Sequence, residues 1–561
     1  MIAGRNLDAV LPKSVLALRD YNAKKFTSDL IAGLTVGLVA LPLAMAFAIS
    51  SGVPPQDGIY GAIVAGFIIS ALGGSMTQIG GPTGAFVVVV SGIVQQYGIQ
   101  GLFTCTLMAG VMLVAMGVTG LGTAVKFIPR PVVVGFTNGI AVLIASTQLK
   151  DFFGLEIESV SGEFVGRIEQ VVQHIGSLSP TTTALAAGAL TVLIVFARWI
   201  KRVPGAIVVL FLGTALAWLA HLPVETIETR FGGIPQGLPP FQVPPIRADL
   251  MMTLLPAAIT IAMLGAIESL LSAVVADRMT GDKHQPNTEL FAQGVANIVS
   301  PLFSGLPATG AIARTATNIR SGGRTPVAGM IHAVVLLIVL LVAAPMAKHI
   351  PLAVLASILF MVAYNMGEWS EIPEILKLSK ADIAVWLITF LLTVFADLTV
   401  AVQAGMILAA LLYIRRVTTT STVAEVTPEY IQEGFAHSLQ TNPIPEGVKV
   451  FRIHGPFLFG ATEKLSIIDE QMDSLPKVVM LRLRTMTAID ATGLHALEGL
   501  ADRLRASGRH LVLCAPRTQP AKLMEKSEFH QHIGEGNMQP SLAAGLNRAR
   551  ELLGQSSPDE P

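Results

Sequence analysis

Charge is scarce in this chain. Only 14% of its 561 residues are Asp, Glu, Lys or Arg, against about 25% in an ordinary soluble domain. Basic and acidic residues balance at 38 each, so no basic footprint argues for nucleic acid. Cysteine is nearly absent. Cys105 lies in an apolar run and Cys514 in a soluble tail, which excludes a disulfide framework. Metal-ligand clusters, nucleotide loops and nucleophile elbows are missing. His284, His332 and His454 are scattered and read as solvated or packed. The chain therefore does not read as an enzyme, and it calls for no cofactor and no metal. A cleavable signal is also lacking, because the first apolar run begins near Leu30 and belongs to a long span.

What the chain has in quantity is hydrocarbon: 52% of its residues are hydrophobic. A bilayer core about 30 Å thick needs about 20 apolar residues per helix. Roughly fourteen such runs, several of them short, lie between Leu30 and Ile414. The expected class is an all-α polytopic membrane domain followed by a small α/β domain. The expected divisions are a cytoplasmic segment 1–25, a membrane domain 26–416, a polar linker 417–445, a soluble domain 446–552 and a disordered tail 553–561. The soluble part is read from strand-like "VKVFRIHGPFLFGA", "KVVMLRLRTM" and "HLVLCAP", and from the amphipathic helix "ATGLHALEGLADRLRASG", with Gly508 as its stop.

The basic residues orient the membrane part. Lys24 and Lys25 precede the first helix and put the N-terminus in the cytoplasm by the positive-inside rule. The even-numbered turns then carry Lys126 and Arg130, Arg198, Lys201 and Arg202, Arg278, Lys283 and His284, Arg320 and Arg324, and Lys377 and Lys380. The opposite loops, 151–180 and 222–249, hold Glu156, Glu158, Glu163, Glu169, Glu225 and Glu228. Arg415-Arg416 agrees with a cytoplasmic C-terminus. A bacterial inner membrane is the expected location.

Two interrupted segments share a signature. "IGGPTGAFVVVV" (79–90) and "GLPATGAIART" (305–315) both contain Thr-Gly-Ala, and "LPLA" (41–44) is echoed by "LPAA" (255–258). Repeats of seven helices, about 26–222 and 250–416, would be inverted, because seven is odd. Non-helical backbone is tolerated at membrane depth only where it is buried or lines a cavity. Half-helices starting near Ala85 and Ala311 would point their N-termini at each other, and free N–H groups with a positive dipole end make an anion site. Two ionisable residues stand inside the spans, Glu268 and Arg314. Ser272 shares a helix face with Glu268. Arg314, one turn into the second half-helix, would strengthen an anion site and is placed to pair with Glu268. Asp397 reads as a helix cap.

With "LPLAMAFAIS", "GGPTGAF", "PRPVVVGFTNGIA" (129–141) and "ATGAIARTATNIRSGGRTPVAG" (308–329) in place, the chain resembles the SulP family of anion transporters over nearly its whole length, with a STAS-like tail. The resemblance implies a homodimer of seven-plus-seven inverted-repeat protomers with core and gate parts, and an elevator-like motion in the bilayer. It implies a substrate site of Phe47, Thr83, Gly84, Ala85, Phe86, Gly310, Ala311, Ile312, Ala313 and Arg314, with Glu268 and Ser272 as the coupling-ion pair. There are two departures. Animal members often have Gln where Leu43 stands, and sodium-coupled bicarbonate members have Asp and Thr where Glu268 and Ser272 stand. A longer carboxylate in a low dielectric, where charge is disfavoured, favours a proton over sodium. In "DATG" (490–493), Thr492 matches a position that is phosphorylated in STAS relatives and Ala491 replaces a serine, while Asp490 reads as a cap with Thr492 packed beside it. The expected partners are a small inorganic anion (sulfate, bicarbonate or similar) or carboxylate, a proton, lipid, a second copy of the chain and a cytoplasmic partner at the STAS domain. Two rival readings are a nucleobase–proton symporter and a membrane sensor that signals through the STAS domain.

Overall fold

The computed structural model describes all residues except 1–10, 124–128, 158–159, 201–203, 246, 397, 427–443 and 556–561. Lys126, Glu158, Lys201, Arg202 and Asp397 thus lie outside the described residues. The chain divides into two compact units, Met1–Ile407 and Leu408–Pro561.

In the first half, α1 (Lys13–Leu18) leads to α2 (Ala23–Ser50), α3 (Pro55–Leu72), strand β1 (Gly80–Gly81), a 3-10 turn at Gly84–Phe86, α4 (Val87–Thr119), α5 (Arg130–Thr147), α6 (Leu149–Phe153), α7 (Phe164–Gln173), α8 (Pro180–Trp199), α9 (Gly205–Leu219) and α10 (Ile227–Phe231). The second half runs α11 (Met251–Thr280), α12 (Pro286–Val299), β2 (Thr309–Gly310), α13 (Ile312–Arg320), α14 (Val327–Ala347), α15 (Leu352–Met366), α16 (Ile372–Ile375), α17 (Lys380–Phe395) and α18 (Leu398–Thr420). Prolines stand in the first turn of α3, α5, α8 and α12, where no N–H is needed for the helix. Among the described residues, eight helices are long and apolar enough to cross a membrane.

Helix α4 is not one rod. Gly98, at φ +69° and ψ −177°, breaks it in a conformation cheap only for glycine. With its two arms counted separately and α1, α6, α7, α10 and α16 left aside, each half supplies seven corresponding helical segments among the described residues: α2, α3, the arms of α4, α5, α8 and α9 in the first, and α11 to α15, α17 and α18 in the second. Both long opening helices, α2 and α11, carry an internal proline, Pro42 and Pro256.

The packing partners repeat as well. α2 and α3 pack on α14, and their counterparts α11 and α12 pack on α4. α5 packs on α17, and α15 packs on α8. Each pairing becomes the other when the halves are exchanged. Lipid supplies no hydrophobic push between helices, so close approach relies on small residues. Gly110 and Gly117 of α4 lie against the backbone of α12, and Gly33 of α2 lies against Ala328 O of α14.

The second unit holds a sheet in the order β3 (Thr422–Glu425), β4 (Val448–Phe457), β5 (Val478–Arg482), β7 (His510–Cys514) and β8 (Met538–Gln539), with β6 (Met486–Ile489) also on β4. All pairings are parallel except β3 with β4. The helix Ala491–Ala506 packs on its strands around buried Phe451, Phe457 and Phe529, and Leu542–Leu553 packs in a separate cluster with Val450, Val478, Met480 and Val512. Burial pushes the Cys514 thiol up to about 12, which leaves it a packing residue rather than a reactive one.

The start of the expected linker is ordered structure. Val417–Thr420 completes α18, and Thr422–Glu425 adds an antiparallel edge strand to β4. The run is polar, but it buries Val423 while Thr422 stays exposed, an alternation too short to see in sequence. The rest of that linker, 427–443, lies outside the described residues, as does 556–561 of the expected tail. A soluble piece spanning 421–555 should therefore be more stable than one spanning 446–555, by about 2 kcal/mol or more for the valines left bare. Thermal unfolding followed by circular dichroism tests this, and equal midpoints would exclude β3 from the domain.

Candidate substrate site

The two interrupted segments meet. β1 and β2 pair antiparallel, Gly80 opposite Gly310 and Gly81 opposite Thr309. The Ala311 N–H donates to Ile79 O at 2.8 Å. Each lead-in thereby satisfies part of the other's backbone at membrane depth, where water is not available to do so. Beyond the crossing, α13 begins at Ile312, so the N–H groups of Ile312, Ala313 and Arg314 have no acceptor within the helix. On the other side the turn Gly84–Phe86 opens the first arm of α4 in the same way.

The charged groups grip this crossing. Thr83 Oγ1 donates to Glu268 Oε2 at 2.8 Å. Arg314 is only 3% exposed. Its Nη2 donates to Pro82 O, while Nη1 has no hydrogen-bond partner among the described residues. Glu268 and Arg314, which the sequence leaves free to pair, bind consecutive residues of the first lead-in instead. Pro82 O and the Thr83 hydroxyl stand nearer to each than the opposite charge does. Room for the guanidinium comes from Gly81. A Cβ there would lie 2.6 Å from Arg314 Nη1, and its φ of +144° suits glycine alone.

The remaining candidate residues divide by position. Phe47 is buried on α2, and its ring lies where Gly84 leaves space, 3.2 Å from the position a Cβ would take. Ala85 and Phe86 turn their side chains into the apolar core, so they offer the site backbone only. Leu43 is buried in the neighbouring core cluster. Ser272 sits one turn beyond Glu268 and reaches α13 of the same half: its Oγ is 3.1 Å from Thr315 Oγ1, which in turn accepts from Ile79 N of the first half at 3.0 Å. Thr315 and Gln78 escape a reading of the sequence. Thr315 is one polar residue in a polar run, "ARTATN", and Gln78 precedes the repeated signature rather than lying in it.

Elsewhere, Asp490 caps its helix, accepting from Gly493 N at 2.7 Å and from Phe459 N at 3.0 Å. Thr492 is exposed rather than packed, because the cap turns it outward in the first turn. His284 bonds Asp277 at 2.7 Å, His454 is exposed and His332 is buried.

Paired half-helices around a buried arginine and a carboxylate, within exchanged halves of seven segments, define an integral membrane transporter of the repeat-built kind. The chain belongs to the Sulfate permease family, whose model matches residues 26–389, and a STAS domain model matches residues 441–545. It is a family of transporters, not of enzymes. The chain is 43% identical over 520 residues to the "Putative sulfate transporter YvdB" of Bacillus subtilis (strain 168), covering 92% of this chain and 96% of that one. It is 32% identical over 553 residues to the "Bicarbonate transporter BicA" of Synechocystis sp., covering 96% and 97%. Among solved structures, the transmembrane domain of a cyanobacterium bicarbonate transporter BicA matches with a TM-score of 0.62 at 34% identity, covering 72% of this chain and all of that one. Murine Slc26a9, an anion transporter in the inward-facing state, matches with a TM-score of 0.84 at 19% identity, covering 98% and 96%, which bears on the fold alone.

Gly81→Ala should displace the Arg314 guanidinium and reduce anion affinity about tenfold, since αL-type strain and the clash together cost over about 1 kcal/mol. Gly92→Ala, in α4 with open space around its Cβ, should leave uptake unchanged. Uptake kinetics of the two purified variants in liposomes compare them directly, and equal kinetics would remove Gly81 from the site.

Proposed function

We propose that this chain is a secondary active transporter of an inorganic anion (sulfate, bicarbonate or similar) or a small carboxylate, coupled to protons and moving its substrate by an elevator-like displacement. The observation that carries the reading is the buried Arg314 with its free Nη1 at the start of a half-helix, beside a second half-helix start and the hydrogen-bonded Glu268. Relatives named as sulfate and bicarbonate transporters support the substrate class. On this reading the anion contacts Phe47, the 83–86 turn and the 310–314 segment. Glu268 carries the proton, with Ser272 one turn away on the same helix.

The coupling has a physical basis. An arriving anion and a charged Glu268 repel, so anion binding favours the protonated carboxyl, and each ligand must raise the other's affinity by the same factor. A tight Glu268–Arg314 ion pair would oppose this, and Glu268 instead takes a hydrogen bond from Thr83. Two groups of helices, α2 to α4 with α11 to α14, and α5 to α9 with α15 to α17, are the candidate moving and fixed bodies. We further propose cytoplasmic termini, an inner-membrane location, a homodimer, and a STAS domain of about 446–552, extended by β3, that serves a cytoplasmic partner or regulation at Thr492.

Labelled sulfate, bicarbonate, chloride and dicarboxylates should be offered to proteoliposomes under pH and sodium gradients. At least one anion should be taken up faster under an inward proton gradient by the wild type. In Glu268→Gln that stimulation should vanish, and in Arg314→Ala the apparent KM should rise about tenfold or more, as loss of a charge-assisted contact implies. Uptake that ignores protons and follows sodium would make Glu268 a cation ligand.

A further inference from the structure

Of the buried carboxylates that take no part in this mechanism, Asp29, Asp57 and Glu289, the last lies nearest the crossing in its bonding. Glu289, on α12, is fully buried. Its Oε2 accepts from Gly74 N at 2.8 Å, and its Oε1 accepts from Gln78 Nε2 at 3.0 Å and from Gln293 Nε2 at 2.8 Å. Among the described residues it makes no ion pair within 4 Å, and its close partners are N–H donors on both oxygens. A buried carboxylate so arranged is costly to disturb.

The bond to Gln78 leads to the site. Gln78 is itself buried, and its Nε2 lies 1.9 Å from where a Cβ on Gly310 would stand. The amide therefore fills the space beside Gly310, the residue paired with Gly80, that a side chain would take. Glu289 determines which end of that amide faces where, because a carboxylate accepts only from the NH2 end. The neighbouring amides hold the same framework: Asn318 Nδ2 donates to Thr77 O, and Asn297 both donates to Ala308 O and accepts from Ala308 N. Those bonds fix the lead-ins along their length. The Glu289–Gln78 bond holds a side chain of the first lead-in against Gly310, beside the backbone pairing of Gly80 with Gly310.

We propose that Glu289 and Gln78 act as one positioning unit that sets the β2 backbone, and with it the half-helix N-terminus of α13, for anion binding. The proposal rests on the site described above being the anion site. It predicts a defect in affinity rather than only in stability, and a defect shared by the two residues.

Glu289→Gln, Gln78→Leu and the double variant should be compared with wild type in uptake kinetics and in hydrogen–deuterium exchange of detergent-solubilised protein. Each single variant should raise KM about tenfold with Vmax little changed, and the double variant should be no worse than the poorer single, as coupled residues behave. Exchange should rise in peptides covering 305–315 in Gln78→Leu, although the substitution lies in another segment. If KM holds while only the melting temperature falls, or if the two effects multiply, the unit is a structural brace and the proposal fails. If wild type takes up no anion, the transport reading fails on its own, and the exchange measurement still decides whether Gln78 sets the 305–315 backbone: unchanged exchange in folded variants overturns it.

Discussion

Everything at the centre of the membrane unit depends on two residue pairs of sheet. A broken helix in a bilayer leaves N–H and C=O groups that lipid cannot satisfy. The break in each half is tolerated because the other half supplies a strand: Gly80–Gly81 against Thr309–Gly310. Neither half can be completed alone. The antiparallel pairing also brings the starts of the two half-helices to one place, as inversion of one half relative to the other requires. The glycines follow from this. Gly310 lies against the Gln78 amide and Gly81 against the Arg314 guanidinium, so the crossing has no room for side chains of its own.

The charges are distributed with the same economy. Arg314 comes from the second half and Glu268 from the second half's opening helix, yet both bind the first half's lead-in, at Pro82 and Thr83. A direct buried ion pair would lock the two charges together and return little beyond its desolvation cost. Attaching each to a neighbouring backbone or hydroxyl group leaves the arginine one free nitrogen and the carboxylate one oxygen outside the Thr83 bond. Both groups are then held in place while still having something to offer a ligand. Helix α11 ties the arrangement together. Glu268 reaches the first half, Ser272 one turn on reaches α13 through Thr315, and Thr309 Oγ1 donates to Gly265 O between them and the β2 crossing.

Much of this was legible in the sequence, for a physical reason. Hydrocarbon length, the echoed Thr-Gly-Ala and the paired prolines are one-dimensional traces of membrane thickness and of a repeated break. Glu268 and Arg314 stand out because charge inside a span is rare. What stayed hidden depends on contacts across the fold. Nothing near Gln78 or Thr315 marks them as touching the other half. Whether Glu268 and Arg314 pair could not be read from the sequence, which shows opposite charges but not the nearer carbonyl and hydroxyl. β3 was lost in a polar run because four residues of alternation are too few to separate from a linker, and its partner β4 lies more than twenty residues on.

The Glu289 network bears on why such a crossing stays ordered. A strand pair of two residues has almost no stability of its own. It persists because side chains on the helices beside it take up the polar groups on either flank. Asn297 holds Ala308 just before β2, Asn318 holds Thr77 just before β1, and Glu289 holds Gly74 and the Gln78 side chain. Glu289 and Asn297 stand on α12, and Asn318 stands on α13. All of these elements belong to the group formed by α2 to α4 with α11 to α14, so the crossing and its supports can move together as one body. If that group travels during transport, the site travels with its own framework, and the hydrogen bonds that shape it need not break along the way.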